Sequence, residues 1–233
     1  MTATDLKQRL IQVQTRIAAA CQKVSRPAEA VQLILVSKTV PAAILRDALK
    51  AGGLIFGENK AQELKYKAVE LQDTAIRWHF IGHLQSNKIK DILPSVEMIH
   101  SVDNLALAQK LNQRLQEKSQ KLAILVQVNT SYEESKSGVS PEQALELLKQ
   151  VSELPQLQLH GLMTIGALSQ DEQRVRDCFK RLRELSQQAQ QLKLFANEHP
   201  ELSMGMSGDF EWAIEEGSTL VRVGSAIFGA RQL

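Results

Sequence analysis

Three features of the chain could do chemistry together. One is Lys38, which follows the apolar run Val31-Gln-Leu-Ile-Leu-Val-Ser37 and precedes Thr39, Val40 and Pro41. The others are two stretches of small residues, Met206-Ser-Gly-Asp209 and Val223-Gly-Ser-Ala226, the second led by Arg222. A lysine amine is a nucleophile toward carbonyls. Small residues let backbone N–H groups approach a phosphate, and a guanidinium adds a charged donor. Each feature also has a plain reading, because Gly-Ser is common in turns and a lysine at a loop start is usually solvated.

Placing them requires the elements around them. Residues 31–37 form a short, nearly continuous apolar run, the pattern of a strand buried on both faces of a parallel sheet. Lys38 then sits at the strand's C-terminal end, where ligands bind in open α/β sheets and α/β barrels alike. An amphipathic helix precedes it over about 5–24, with Leu6, Leu10, Val13, Ile17 and Ala20 at helical spacing. Strand and helix then alternate to the end of the chain. Strands are expected at 54–56, 76–81, 96–100, 122–129, 157–163, 202–205 and 219–223, with helices between them. Asp103 is the expected N-cap of the helix over 104–118, and Ser140 with Pro141 and Gln143 reads as a capping box. The long charged helix at 170–195 carries Arg174, Arg176, Lys180, Arg181 and Arg183, read as a solvated face rather than a nucleic-acid stripe.

Eight strands without a linker or low-complexity run give a single (β/α)8 TIM barrel with an additional N-terminal helix, one domain over residues 1–233. A doubly wound sheet is the alternative. The 43% hydrophobic and 23% charged composition is that of an ordinary globular protein, and a net charge of +2 is too mild to argue for nucleic acid or a membrane surface. Charges among the first ten residues leave no apolar core for a signal peptide, and no apolar run nears the roughly 18 residues of a membrane span. A cytoplasmic protein is expected. Cys21 and Cys178 lack metal-ligand spacing and read as reduced packing residues, so no metal site is expected.

In a barrel, the residues after each strand share one rim. Here they are Lys38, Asn59, His83, Asp103, Asn129, Thr164, Ser207, Arg222, Gly224 and Ser225, with phosphate sites frequent after strands seven and eight. A phosphate site plus a rim lysine suggests pyridoxal 5'-phosphate (PLP), whose aldehyde condenses with an amine while its phosphate anchors the other end. Alternation within 219–223 puts Leu220 and Arg222 on the face opposite Val221 and Val223, so Arg222 can point inward toward the ring. Pairing of Arg222 with a carboxylate such as Glu58 is the competing reading.

Long motifs then carry a resemblance. Val36-Ser-Lys38-Thr39, Gly57-Glu-Asn59 with Gln62-Glu63, Trp78 through Lys88, His100-Ser-Val-Asp103, Gly161-Leu-Met-Thr-Ile165, Met204-Gly-Met-Ser207 and Gly217 through Gly229 resemble the pyridoxal phosphate homeostasis proteins over nearly the whole chain. The resemblance implies a barrel like the N-terminal domain of alanine racemase, with PLP held as an aldimine on Lys38. It also implies that Ser207, Gly208, Gly224 and Ser225 hold the phosphate, Arg222 meets the pyridine nitrogen and Asn59 lies near the cofactor. Gly208 and Ser225 depart from the family's usual residues yet stay small. His79 and His83 flank Gly82 without an assigned role, and no residue is named catalytic.

Three functions compete. The resemblance implies a PLP-binding protein of vitamin B6 and amino-acid homeostasis without strong catalysis. A PLP-dependent, racemase-like enzyme is the alternative, and an unrelated phosphate-binding barrel is the third. The chain stops at Leu233, and its two tyrosines, Tyr66 and Tyr132, offer no obvious second base, which favours the first. Its expected partners are PLP, amino acids and transient PLP-dependent apoenzymes, and the protein is expected to be a monomer.

Overall fold

A computed structural model describes residues 2–229. Eight parallel strands close into a barrel in sequence order: β1 (Gln32–Val36), β2 (Ile55–Glu58), β3 (Arg77–Phe80), β4 (Val96–Val102), β5 (Leu122–Gln127), β6 (Leu157–Met163), β7 (Glu201–Met206) and β8 (Leu220–Val223). The last strand pairs with the first, Ile34 lying opposite Arg222 and Leu35 opposite Val223. The helices are α1 (Ala3–Lys23), α2 (Ala42–Lys50), α3 (Ala61–Glu70), α4 (Ile89–Ile92), α5 (Leu105–Gln116), α6 (Pro141–Ser152), α7 (Glu172–Gln191), α8 (Phe210–Glu215) and α9 (Ser225–Phe228). The (β/α)8 expectation, with its extra first helix, is borne out. Residues 1 and 230–233 of the expected 1–233 domain lie outside the described residues.

Strand alternation divides the core in two. Ile34, Ile55, Met98, Leu125, Met163 and Leu220 form a small apolar plug. Leu35, Phe56, Phe80, Ile124, Val221 and Val223 instead belong to the larger layer shared with the helices. Leu220 and Val221 thus belong to separate clusters, as a period of two requires. The plug occupies the barrel interior below the rim, and the rim at the strands' C-terminal end is where such barrels bind ligands.

The first helix completes the outer ring. Leu6, Leu10, Val13 and Ile17 are buried on one face of α1, against the short helices α8 and α9. Arg16 pairs with Glu211 at 2.6 Å and Lys23 with Glu215 at 2.9 Å, while Arg26 donates to the carbonyls of Ile214 and Ser218. Helices of six and four residues cannot cover the β8–β1 seam alone, and α1 supplies the missing cover. Both cysteines are buried free thiols.

Several local details differ from expectation. The N-cap of α5 is Asn104, whose side chain accepts from the Leu107 N–H at 2.9 Å. Asp103 instead accepts from Asn104 Nδ2 and faces His83, because β4 runs on to Val102 and leaves it at the rim. Ser140 and Pro141 do open α6, but the serine hydroxyl makes no capping bond. A capping box does occur at α1, between Thr2 and Asp5. Helix α7 stops at Gln191, where Lys193 turns left-handed at φ 56°. Its cations are largely paired: Arg176 with Glu172, Glu215 and Glu216, and Arg183 with Glu216.

Candidate functional site

The C-terminal end of the barrel holds a cavity of about 880 Å³. Its lining includes Lys38, Asn59, Ser207, Gly208, Arg222, Gly224 and Ser225, so all seven residues singled out from sequence meet in one space. His83 joins them, whereas Asp103, Asn129 and Thr164 do not line it. The volume falls within the ~300–1,000 Å³ usual for small-molecule sites.

Arg222 projects from β8 into the barrel and is 4% exposed. Its Nη1 donates to Ser203 Oγ at 2.6 Å and its Nη2 to the Thr164 carbonyl at 2.8 Å. Burial pulls its pKa down to about 10, with Asp209 opposing, so the guanidinium remains charged at neutral pH. The competing partner Glu58 is engaged elsewhere. It is fully buried, and its Oε1 accepts from Ser37 Oγ at 2.6 Å and from Lys67 Nζ at 2.7 Å. Burial raises the Glu58 pKa against both of these bonds.

A file of polar groups continues inward from Arg222. His100 Nδ1 lies 2.9 Å from Ser203 Oγ, and His100 Nε2 lies 2.9 Å from His79 Nδ1. Burial lowers the His79 pKa to about 4 and holds that of His100 well below the usual histidine range, so both rings are neutral at pH 7. His79 is therefore interior and His83 is at the rim, resolving the pair that sequence left unassigned.

Tight backbone approaches fix the loops. A Cβ on Gly82 would lie 2.2 Å from the Asn59 carbonyl oxygen, so only glycine lets the β3 loop pack on Asn59. Gly224 packs against Val36, where a Cβ would meet both Cβ and carbonyl oxygen at 3.2 Å. The Gly224 N–H donates to Ser207 Oγ at 3.2 Å, tying the loops after β7 and β8 together. Asn59 lines the cavity, and its Oδ1 is buried with no hydrogen-bond partner among the described residues.

Sequence reading missed several participants. Gln127, Lys136 and Ser137 also line the cavity, Lys136 donating to Glu133 and to the Gly166 carbonyl. Ser203 holds Arg222 together with the carbonyl of Thr164, a rim residue already named from sequence without that role, and Lys67 sits beneath Lys38. The only sequence signal for the last was the i, i+4 spacing of Glu63 and Lys67 on α3.

A closed parallel barrel with a lysine after its first strand and small-residue loops after its last two defines a class, the alanine racemase N-terminal domain. The model of that family matches residues 10–232. Alanine racemase from Corynebacterium glutamicum shares the fold at a TM-score of 0.70 and 15% identity, covering 98% of this chain and 62% of that one. Within this class the likeness narrows. A pyridoxal phosphate homeostasis protein of Aquifex aeolicus is 41% identical over 225 residues, spanning 97% of this chain and 98% of its own. The structure of PipY from Synechococcus elongatus with PLP bound is 35% identical, with a TM-score of 0.83 over 96% of this chain and 100% of that one. The chain belongs to the pyridoxal phosphate homeostasis protein family.

Proposed function

We propose that this protein binds PLP covalently through Lys38 and serves vitamin B6 and amino-acid homeostasis as a carrier or regulator rather than as a fast enzyme. The observation that carries the reading is that Lys38, Arg222 and the loops after β7 and β8 line a single cavity. Relatives named pyridoxal phosphate homeostasis proteins, and PipY with its bound PLP, support it.

The residues fit the cofactor. Ser207, Gly208, Gly224 and Ser225 offer hydroxyls and backbone N–H groups to the phosphate. A Cβ placed on Gly208 would meet no atom within 4 Å, so the loop leaves room for that group. Arg222 can donate but not accept, so opposite the ring nitrogen it disfavours protonation there. Asn59 lines the same space. When bound, the cofactor supplies an aldehyde reactive toward primary amines and a ring that takes up electron density. Arg222 weakens that second capacity, and Lys38 is the one base this reading provides. In this proposal the whole chain acts as one domain, as a monomer in the cytoplasm, and hands PLP to apoenzymes through transient contacts. No helix of the described residues is long and apolar enough to cross a membrane.

Borohydride reduction of the PLP-loaded protein followed by peptide mass spectrometry tests the reading. The added mass should lie on the peptide containing Lys38, and Lys38→Ala should lose it while keeping its fold. Retention of covalent PLP on another lysine in that variant would refute the assignment.

A further inference from the structure

Beneath Lys38 lies a charged cluster that the site does not itself require. Lys67 Nζ, with a side chain only 5% exposed, spends its three N–H groups at 2.7 Å on the Ser37 carbonyl, Glu58 Oε1 and Glu63 Oε1. Glu63 Oε1 also accepts from the Thr39 N–H. The two groups so engaged belong to the peptide units on either side of Lys38. The Ser37 carbonyl additionally accepts from the Val40 N–H at 2.9 Å, so residues 37–40 form a turn with Lys38 and Thr39 at its centre.

Thr39 occupies that turn at φ 65°. A positive φ at the third position of a β-turn is the habit of glycine or asparagine, and a β-branched residue there is strained. Such conformations carry a cost and persist only where surroundings over-determine them. A buried ion cluster, moreover, is often no more stabilising than apolar side chains of similar volume. Its use here is therefore conformational.

We infer that Lys67, Glu58 and Glu63 are positioning residues that clamp the Ser37–Val40 turn and so aim the Lys38 amine into the cavity. The inference rests on the proposed attachment of PLP at Lys38. Attachment joins Nζ to the aldehyde carbon with loss of one water, and needs no oxidant or reductant. The clamp should govern that bond and leave the phosphate loops, which it does not touch, unaffected.

Two ligands separate these effects. PLP reports both binding and attachment, through the absorbance of the attached form. Pyridoxine 5'-phosphate, with an alcohol in place of the aldehyde, reports binding alone by calorimetry. Folded Glu63→Ala and Lys67→Met should bind the alcohol as wild type does yet attach PLP about tenfold more slowly, the effect of releasing one strained conformation. Glu63→Gln, which keeps an acceptor for the Thr39 N–H, should lose less. Thr39→Gly added to Glu63→Ala should recover much of the rate, because glycine enters positive φ without strain. If Lys67→Met fails to fold, the partly exposed Glu63 still carries the test. An unchanged attachment rate in Glu63→Ala, or an equal loss of alcohol binding, would overturn the clamp. Absence of attachment at Lys38 in the wild type would instead fell the proposed function, and the clamp with it.

Discussion

Arg222 concentrates the site's chemistry in one side chain. Held by Ser203 and Thr164, it presents a fixed cation where the ring nitrogen is proposed to lie, so proton loss from an amino acid should be poorly supported. Loaded protein incubated with L-alanine in heavy water should deuterate Cα far more slowly than an ordinary turnover of roughly 10 per second. NMR measures this directly, and exchange near that rate would favour the racemase-like reading. At the other end of the cavity, Ser207→Ala and Ser225→Ala should each weaken PLP binding by about 1–2 kcal/mol, one hydrogen bond to a charged group apiece, while backbone donors keep the ligand. Unchanged affinity in the double variant would place the phosphate elsewhere. The inward direction of Arg222 was legible because strands alternate strictly. Its partners were not, since Ser203 and Thr164 stand 19 and 58 residues away and meet it only once the barrel's strands have assembled. Nor could sequence tell that Glu58 would be taken by Lys67 rather than by Arg222.

Among the elements, the strands were the most legible and the helix ends the least. An apolar run reports a buried strand wherever it occurs, but a cap depends on which backbone groups a neighbouring strand has already used. Asp103 and Asn104 are both good capping types, and the extension of β4 to Val102 leaves the role to Asn104. Asn104→Ala should therefore cost about 0.5–2 kcal/mol in a denaturant titration, and Asp103→Ala clearly less. The packing role of α1 gives a larger effect. Leu10 is 1% exposed, and Leu10→Ala should destabilise the protein by about 2–5 kcal/mol, read as a lower unfolding midpoint. A midpoint close to wild type would mean that α1 is not part of the cooperative barrel.

Across the whole molecule, buried titratable groups oppose one another on acidification. His79, with a pKa near 4 against 6.5 when exposed, binds fewer protons folded than unfolded, so its contribution to stability fades as pH falls from about 6.5 to 4. Glu201, raised by burial to about 6 from 4.5, binds more protons folded and gains stability as pH falls through that interval. Glu201→Gln should thus stabilise the protein above pH 6 and steepen its loss of stability below, as measured by urea midpoints across pH. A profile parallel to wild type would refute the assignment. The closed β1–β8 seam has a consequence for biosynthesis as well. Lys38 leaves the ribosome long before Arg222, Gly224 and Ser225, yet the cavity has no complete wall until β8 docks beside β1. A nascent chain cannot complete the ligand's cavity until β8 has been made. Closure between the first and last strands is also the most sequence-distant pairing in the barrel, the kind that slows folding. Ligand that binds only the closed form adds its binding free energy to that late step. Cofactor supply during translation is then a folding variable, and a circular permutant opened between β4 and β5 would make the β8–β1 seam local while moving the sequence-distant closure to β4 and β5.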